Sequence, residues 1–403
     1  MRPGHLALRT STTNMTSINS TQSLILDLPP SCIEFCPVAR DYFVVGTYFL
    51  EKKEQEATAE DTAENNNDEE SEEVEKKPQT RTGSLILFKV DGDKVIQVST
   101  TQTPYAILDI HFSSHDPTLL AVAGSTGCVQ LFNLRSTSSS ASLQPLSTYQ
   151  YFDPSTLVLS LAWHPTIPSI LGVTTSPGQV YLVDISLPAA EVEGTAKEIL
   201  AHELEAWTLS FSSSGTAVFS GGDDATLRFS ALPASPTSTT TPASNEDDEP
   251  EEQQYLPTWQ DRRSHQAGVT AILPLPSEPD ILITGSYDDN IRILHAPLQG
   301  RKQVLAEENL EGGVWRLKML RAEVDAGKYT VLASCMHAGA GIVEVKKDEG
   351  GEWKIEVLAK FEEHKSMNYG SDVQPGSENG GEQTIISTSF YDKLLCLWRH
   401  TLP

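Results

Sequence analysis

The sequence predicts an all-β protein folded as one seven-bladed propeller. Three observations carry this: a strand–turn–strand phrase recurs, its recurrence has a period, and the segments between copies vary in length without disturbing the apolar alternation. The clearest copy is ILITGSYDDNIRIL at residues 281–294. Ile281 and Ile283 alternate with Leu282 and Thr284, a tight turn follows over 285–290, and Ile291 and Ile293 resume the alternation, as paired strands require. The same phrase reads VFSGGDDATLRFS at 218–230 and IISTSFYDKLLCLW at 385–398. Weaker copies are LAVAGSTGCVQLFN (120–133), ILGVTTSPGQVYLVD (170–184) and LASCMHAGAGIVEV (332–345), and a split copy uses 42–49 and 84–90. Marking each copy three residues before the first apolar position of its second strand gives Thr82, Thr126, Pro177, Asp224, Asp288, His337 and Asp392, with gaps of 44, 51, 47, 64, 49 and 55. A period a little above 40, stretched by insertions, is that of a four-stranded propeller blade.

Taken in order, residues 1–20 are polar and expected to be disordered, leaving 21–403 for the propeller. LILDL at 24–28 reads as a strand that pairs with the last blade and closes the ring, so that no edge is left open. Blade one carries an insertion at 51–80, charged and nearly without large apolar residues, and disorder is expected there. Blade two covers about 104–134, with a Ser/Thr-rich connector to 147; blade three uses 157–163 and 170–185. Blades four and five begin at His202 and His265, separated by a Pro/Ser/Thr stretch at 231–256 ending in acids, also expected to be disordered. Blade six spans 312–345 and blade seven 364–398, the latter interrupted by a polar Gly-rich segment at 375–382.

Composition narrows the function classes. The 403 residues include 29 basic and 55 acidic side chains, a formal charge of −26. Residues 51–77 contribute −8 and residues 246–252 contribute −6, leaving −12 on the rest. That sign argues against nucleic acid and favours cationic or basic protein partners. Five scattered cysteines, without ligand spacing, read as reduced thiols of a cytoplasmic protein and give no metal site. No apolar run is long enough to span a membrane.

The motifs of common hydrolases, P-loops, dinucleotide sites and zinc proteases are missing. The recurring polar residues sit at the strand turns. His202 with Asp224, His265 with Asp288 and His364 with Asp392 read as structural pairs fastening turns, since buried polar groups need partners. His337 differs: it occupies a marker position where other blades hold Asp, and blade six opens with GGVW rather than a histidine. An imidazole there is a candidate general base, with Asp288 and Asp392 from neighbouring blades as candidates to orient it. Trp207, Tyr287, Trp315, Tyr369, Phe390 and Tyr391 accompany the same turns. Acids and aromatics meeting at one mouth would attract a cation, above all a quaternary ammonium. Arg316 could instead hold a carboxylate.

The turns GGDD (221–224), GSYDDN (285–290), GGVWR (312–316), CMHAG (335–339), Tyr369-Gly370 and SFYD (389–392) resemble those of the WD-repeat diphthine methyl ester hydrolases, with GGVWR followed by CMHAG the most specific part. The match is good over blades four to seven, and Ser230 and Leu294 depart from it by replacing the usual WD-repeat tryptophan. The resemblance implies a carboxylic ester hydrolase of diphthamide biosynthesis that removes a methyl ester from methylated diphthine on elongation factor 2, releasing methanol. It implies no cofactor, a monomer, and contact with other enzymes of that pathway. For that reaction the residues suggest His337 as base, Asp288 or Asp392 orienting it, Tyr287, Trp315, Tyr369, Tyr391 and Asp224 around the trimethylammonium group, and Arg316 or the Gly312-Gly313 amides at the oxyanion. A covalent route through Ser286, Ser389 or Cys335 ranks second. A non-catalytic scaffold recruiting pathway enzymes is the alternative from another class, because propellers often serve as platforms.

Overall fold

A computed structural model describes residues 16–51, 80–137, 140–233, 258–376 and 381–403. The expectations of disorder lie outside the described residues for 1–15, 52–79 and 234–256, as does part of the polar segment at 375–382. Seven antiparallel four-stranded blades follow one another in chain order, as the repeat predicted. Blade one comprises Pro30–Phe35, Tyr42–Thr47, Arg81–Asp91 and Lys94–Thr103. The innermost strands of blades two to seven are Ile107–Phe112, Val158–Trp163, Ala206–Phe211, Val269–Pro274, Arg316–Glu323 and Gly370–Val373.

The core is distributed rather than central. Strand alternation presents one apolar row to each side of a blade, so the rows of adjacent blades interlock. Among the described residues the apolar clusters number seven, and each joins two consecutive blades. The last, with Phe43 and Phe88 against Ile386 and Leu397, joins blade seven back to blade one. Closure also uses the chain's beginning. Ser20–Ile25 pairs antiparallel with Leu394–Thr401 of blade seven. This is the closing strand expected near 24–28, displaced a few residues toward the N-terminus. Thr16–Ile18 pairs in parallel with Trp353–Phe361 of blade six. Strand therefore begins before the boundary drawn at residue 20, because an unpaired outer edge on blade six accepts it.

Of the three expected histidine–aspartate pairs, one forms. His202 bonds Asp224 through Nδ1 at 2.9 Å and Ser220 through Nε2 at 2.8 Å. His265 and His364 bond Thr284 and Ser387 through Nε2, but their buried Nδ1 atoms meet no hydrogen-bond partner among the described residues. Asp288 is drawn instead to the buried Arg292, 2.9 Å away, and Asp392 to the Ser366 hydroxyl at 2.8 Å. Blade seven alone keeps the tryptophan: Trp398 is fully buried, donates to Ser387 Oγ and stacks on Phe361 of blade six at 5.1 Å.

Candidate functional site

Each blade sends the start of its inner strand and its second turn to the same end of the ring, so residues far apart in sequence meet around one opening. Aromatic rings from five blades form a continuous rim there. Trp207 of blade four lies 5.5 Å from Trp315 of blade six and 6.2 Å from Tyr287 of blade five, and Tyr287 lies 5.7 Å from Trp315. Trp315 continues to Tyr369 at 5.0 Å, Tyr369 to Phe390 at 5.5 Å, and Phe390 to Tyr391 and to Tyr48 of blade one. All are partly exposed, Tyr391 most at 69%. A ring cluster left open to solvent is a surface of negative quadrupole suited to an onium group.

Carboxylates stand beside the rim, though not the one expected. Asp224 is spent on His202, the Glu203 amide and its own turn. Its neighbour Asp223 accepts a bond from Trp207 Nε1 at 3.1 Å, and with Glu205 it adds negative potential at the Tyr287 hydroxyl. Burial, reinforced by Tyr369 and these two acids, pushes Tyr287 above the usual phenol range. Of the two adjacent aspartates of GGDD, Asp224 thus faces its own blade and Asp223 faces the rim.

GGVWR and CMHAG, paired in the sequence, pack together in space. A side chain on Gly312 would meet the Cys335 carbonyl at 2.2 Å, and one on Gly313 would meet Met336 Sδ at 2.7 Å. Met336 has a positive φ of 43° and bridges to Asn368, next to Tyr369. Elsewhere the positive φ of this turn falls just after the marker, at Ala225, Asp289 and Lys393; blade six departs and lifts His337 into solvent. His337 touches neither expected carboxylate. Asp288 accepts from the Gln266 amide, the Asn290 amide and Arg292; Asp392 accepts from Ser366, Ser389 and the Lys365 amide. Although burial opposes their charge, these bonds hold both carboxyls below the ordinary range, Asp288 at about 2. Both are turn braces.

The nucleophile candidates also have other employment. Ser286 donates to the Ala267 carbonyl and Ser389 to Asp392, and both are fully buried. Burial pushes the Cys335 thiol up to about 12, which leaves it inert at neutral pH.

Inside the opening lies a charge cluster that sequence reading missed. Arg316, directly after Trp315, reaches Asp109 of blade two at 3.0 Å. Asp109 also accepts from Ser160 Oγ and the Leu161 amide and lies 3.6 Å from His111 Nε2. His111 Nδ1 contacts Glu34 of blade one at 3.1 Å, and Lys318 contacts Asp372 of blade seven at 3.1 Å. Burial works against the charges of Asp109, His111, Lys318 and Asp372, yet Arg316 and His111 hold Asp109 at about 2. Asp109 and Glu34 raise His111 to about 10, and it stays an imidazolium at neutral pH. On the far wall, among the described residues, blades three to five offer only neutral side chains such as Ser160, Thr208 and Thr270. A cavity of about 350 Å³ remains between the walls. Among the described residues no group of three or more His, Cys, Asp or Glu is arranged to hold a metal, and no helix is long and apolar enough to cross a membrane.

Comparison with known proteins agrees with this architecture. The WD domain, G-beta repeat model matches residues 195–229. Over 377 residues the chain is 29% identical to the Schizosaccharomyces pombe protein named diphthine methyltransferase, covering 92% of this chain and 95% of that one. The human protein of that name is 29% identical over 368 residues, 87% of this chain and 74% of its own length. A Dictyostelium discoideum diphthine methyltransferase homolog is 26% identical over 394 residues, 93% and 97% of the two chains. A chain in the crystal structure of the mitotic checkpoint complex superposes with a TM-score of 0.62 over the whole of this chain and 97% of that one, at 13% identity, a likeness of fold alone.

Proposed function

We infer that this chain, similar over about nine-tenths of its length to proteins named diphthine methyltransferase, is an enzyme of diphthamide biosynthesis that hydrolyses the methyl ester of methylated diphthine on elongation factor 2. The observation that carries the reading is the adjacency of Trp315 and Arg316: an onium-binding rim stands next to a guanidinium facing an internal cavity. The substrate joins a trimethylammonium group and a carboxyl ester on one side chain, so it needs both.

The trimethylammonium rests among Trp207, Tyr287, Trp315 and Tyr369, with Asp223 and Glu205 supplying the negative field and Tyr391 guarding the outer edge. Desolvated cation–π contact contributes about 2 kcal/mol. The ester carbonyl points toward Arg316, which has N–H donors beyond the one facing Asp109 and stabilises the oxyanion as water adds. His337, solvent-exposed on a strained turn, takes the proton of that water. The C–O bond to methoxide then breaks, and methanol leaves with the returned proton. Asp288 and Asp392 contribute by bracing the flanking turns rather than by orienting the imidazole.

His337→Ala tests the base directly. Methanol release from methylated diphthine should fall at least about a hundredfold, the usual scale of general-base loss, while the melting temperature holds. Unchanged turnover removes His337 from the mechanism. The relatives' printed name favours a second reading, transfer of a methyl group from a methyl donor onto diphthine, which would release no methanol, as a scaffold also would not.

A further inference from the structure

The axial cavity extends from Thr270 and Arg316 at the rim end to Ser114 and Pro165 at the far end of the inner strands. Its only ionisable lining groups, among the described residues, are Arg316 and His111. Their carboxylate partners stand behind them: the Asp109 side chain is 3% exposed and the Glu34 side chain 14%, against 24% for Arg316 and 40% for His111. The opposite wall offers the Thr208 and Ser210 hydroxyls, for which no hydrogen-bond partner is seen among the described residues. An acidic protein thus encloses a cavity that shows cations and hydroxyls to its contents and hides its acids. Trp207 precedes Thr208 on the inner strand of blade four, and Trp315 directly precedes the inner strand of blade six, which opens at Arg316. In blades four and six the rim ring and the first cavity-lining residue therefore stand one residue apart, roughly 3.3 Å along the chain.

We propose that this cavity is a carboxylate receptor, and that rim and cavity together select a zwitterion with a quaternary ammonium at one end and a free carboxylate at the other. The inference rests on the rim reading above and deepens it: the enzyme holds the acid it makes more firmly than the ester it consumes. An ester carbonyl accepts one or two neutral-acceptor bonds from Arg316. A carboxylate accepts charge-assisted bonds and also feels the His111 imidazolium.

The test is calorimetric titration of the full chain with γ-butyrobetaine, its methyl ester, and 5,5-dimethylhexanoate, which keeps the carboxylate and replaces the ammonium by carbon. The zwitterion should bind about tenfold or more tighter than its ester, the worth of one charge-assisted bond over a neutral one. Arg316→Gln should erase that preference, weakening the acid about tenfold more than it weakens the ester. Ser210→Asp, which removes no side-chain hydrogen bond seen among the described residues and adds an acid to the neutral wall, should also erase it, and serves if Arg316→Gln fails to fold. An acid bound no better than its ester, or a preference that survives both variants, overturns the receptor. Should neither betaine probe bind while 5,5-dimethylhexanoate binds in an Arg316-dependent way, the cavity stands and the onium rim falls. If no carboxylate binds, the receptor is overturned.

Discussion

Asp109→Asn is the most exacting perturbation of the charge cluster. The Asp109 carboxylate accepts from Arg316 at 3.0 Å, Ser160 at 2.9 Å and the Leu161 amide at 3.1 Å, and sits 3.6 Å from His111. It joins blades two, three and six across the axis. Removing one partner of a fully buried ion pair costs about 3–5 kcal/mol. Arg316 is a quarter exposed and recovers some hydration, which brings the expected loss to about 3 kcal/mol. Equilibrium urea unfolding of wild type, Asp109→Asn, Arg316→Gln and the double variant closes a cycle, and the coupling should exceed about 1.5 kcal/mol. The His111 ring, followed by NMR, should lose at least about one pH unit from its value near 10, with Glu34 still holding it above an ordinary histidine. A variant within about 0.5 kcal/mol of wild type, with additive singles and an unmoved His111, would refute the claim that this cluster is one coupled unit.

Trp315→Ala, which removes the ring that touches Trp207, Tyr287 and Tyr369, should raise KM for the onium substrate roughly thirtyfold, or about 2 kcal/mol; an unchanged KM places the cation elsewhere. Gly312→Ala drives a methyl group to 2.2 Å from the Cys335 carbonyl. It should cost about 1–3 kcal/mol of stability and lower turnover by moving the His337 turn, both readable by melting and methanol release. Acid should unfold the protein through two histidines. Burial depresses His265 and His364 to about 4 from 6.5, so both fold as neutral rings. They leave stability untouched above pH 6.5 and remove roughly 3 kcal/mol each as pH falls from there toward 4. Asn at both positions should flatten that limb of the stability–pH curve, and an unaltered curve would assign the loss to other groups.

The fold was legible because period-two alternation and the turn phrase survive every insertion, and because the ring needs a closing strand, which residues near 24–28 supplied. The rim was legible for a related reason: Tyr287, Trp315 and Phe390 flank turns whose position in the repeat is fixed. The charge cluster was not. Asp109 and His111 in ILDIHF, and Arg316 and Lys318 in RLKML, read as ordinary polar alternates of half-buried strands, and Glu34 and Asp372 stand 338 residues apart. One signal was available. Blades two and six carry charges at alternate positions of their inner strands, where blades three to five carry Ser160, Thr208 and Thr270. The Asp288 and Asp392 assignments failed because a carboxylate in a tight turn is satisfied by local amides before a distant imidazole can reach it, and because Arg292, deep in blade five, claims Asp288.

Turnover of methylated diphthine on elongation factor 2 in water enriched in oxygen-18 tests the central claim most directly. Hydrolysis at the acyl carbon predicts one heavy oxygen in the diphthine carboxylate and unlabelled methanol. Label in the methanol, or methyl loss with no label in either product, would contradict an ester hydrolase seated at Trp315 and Arg316.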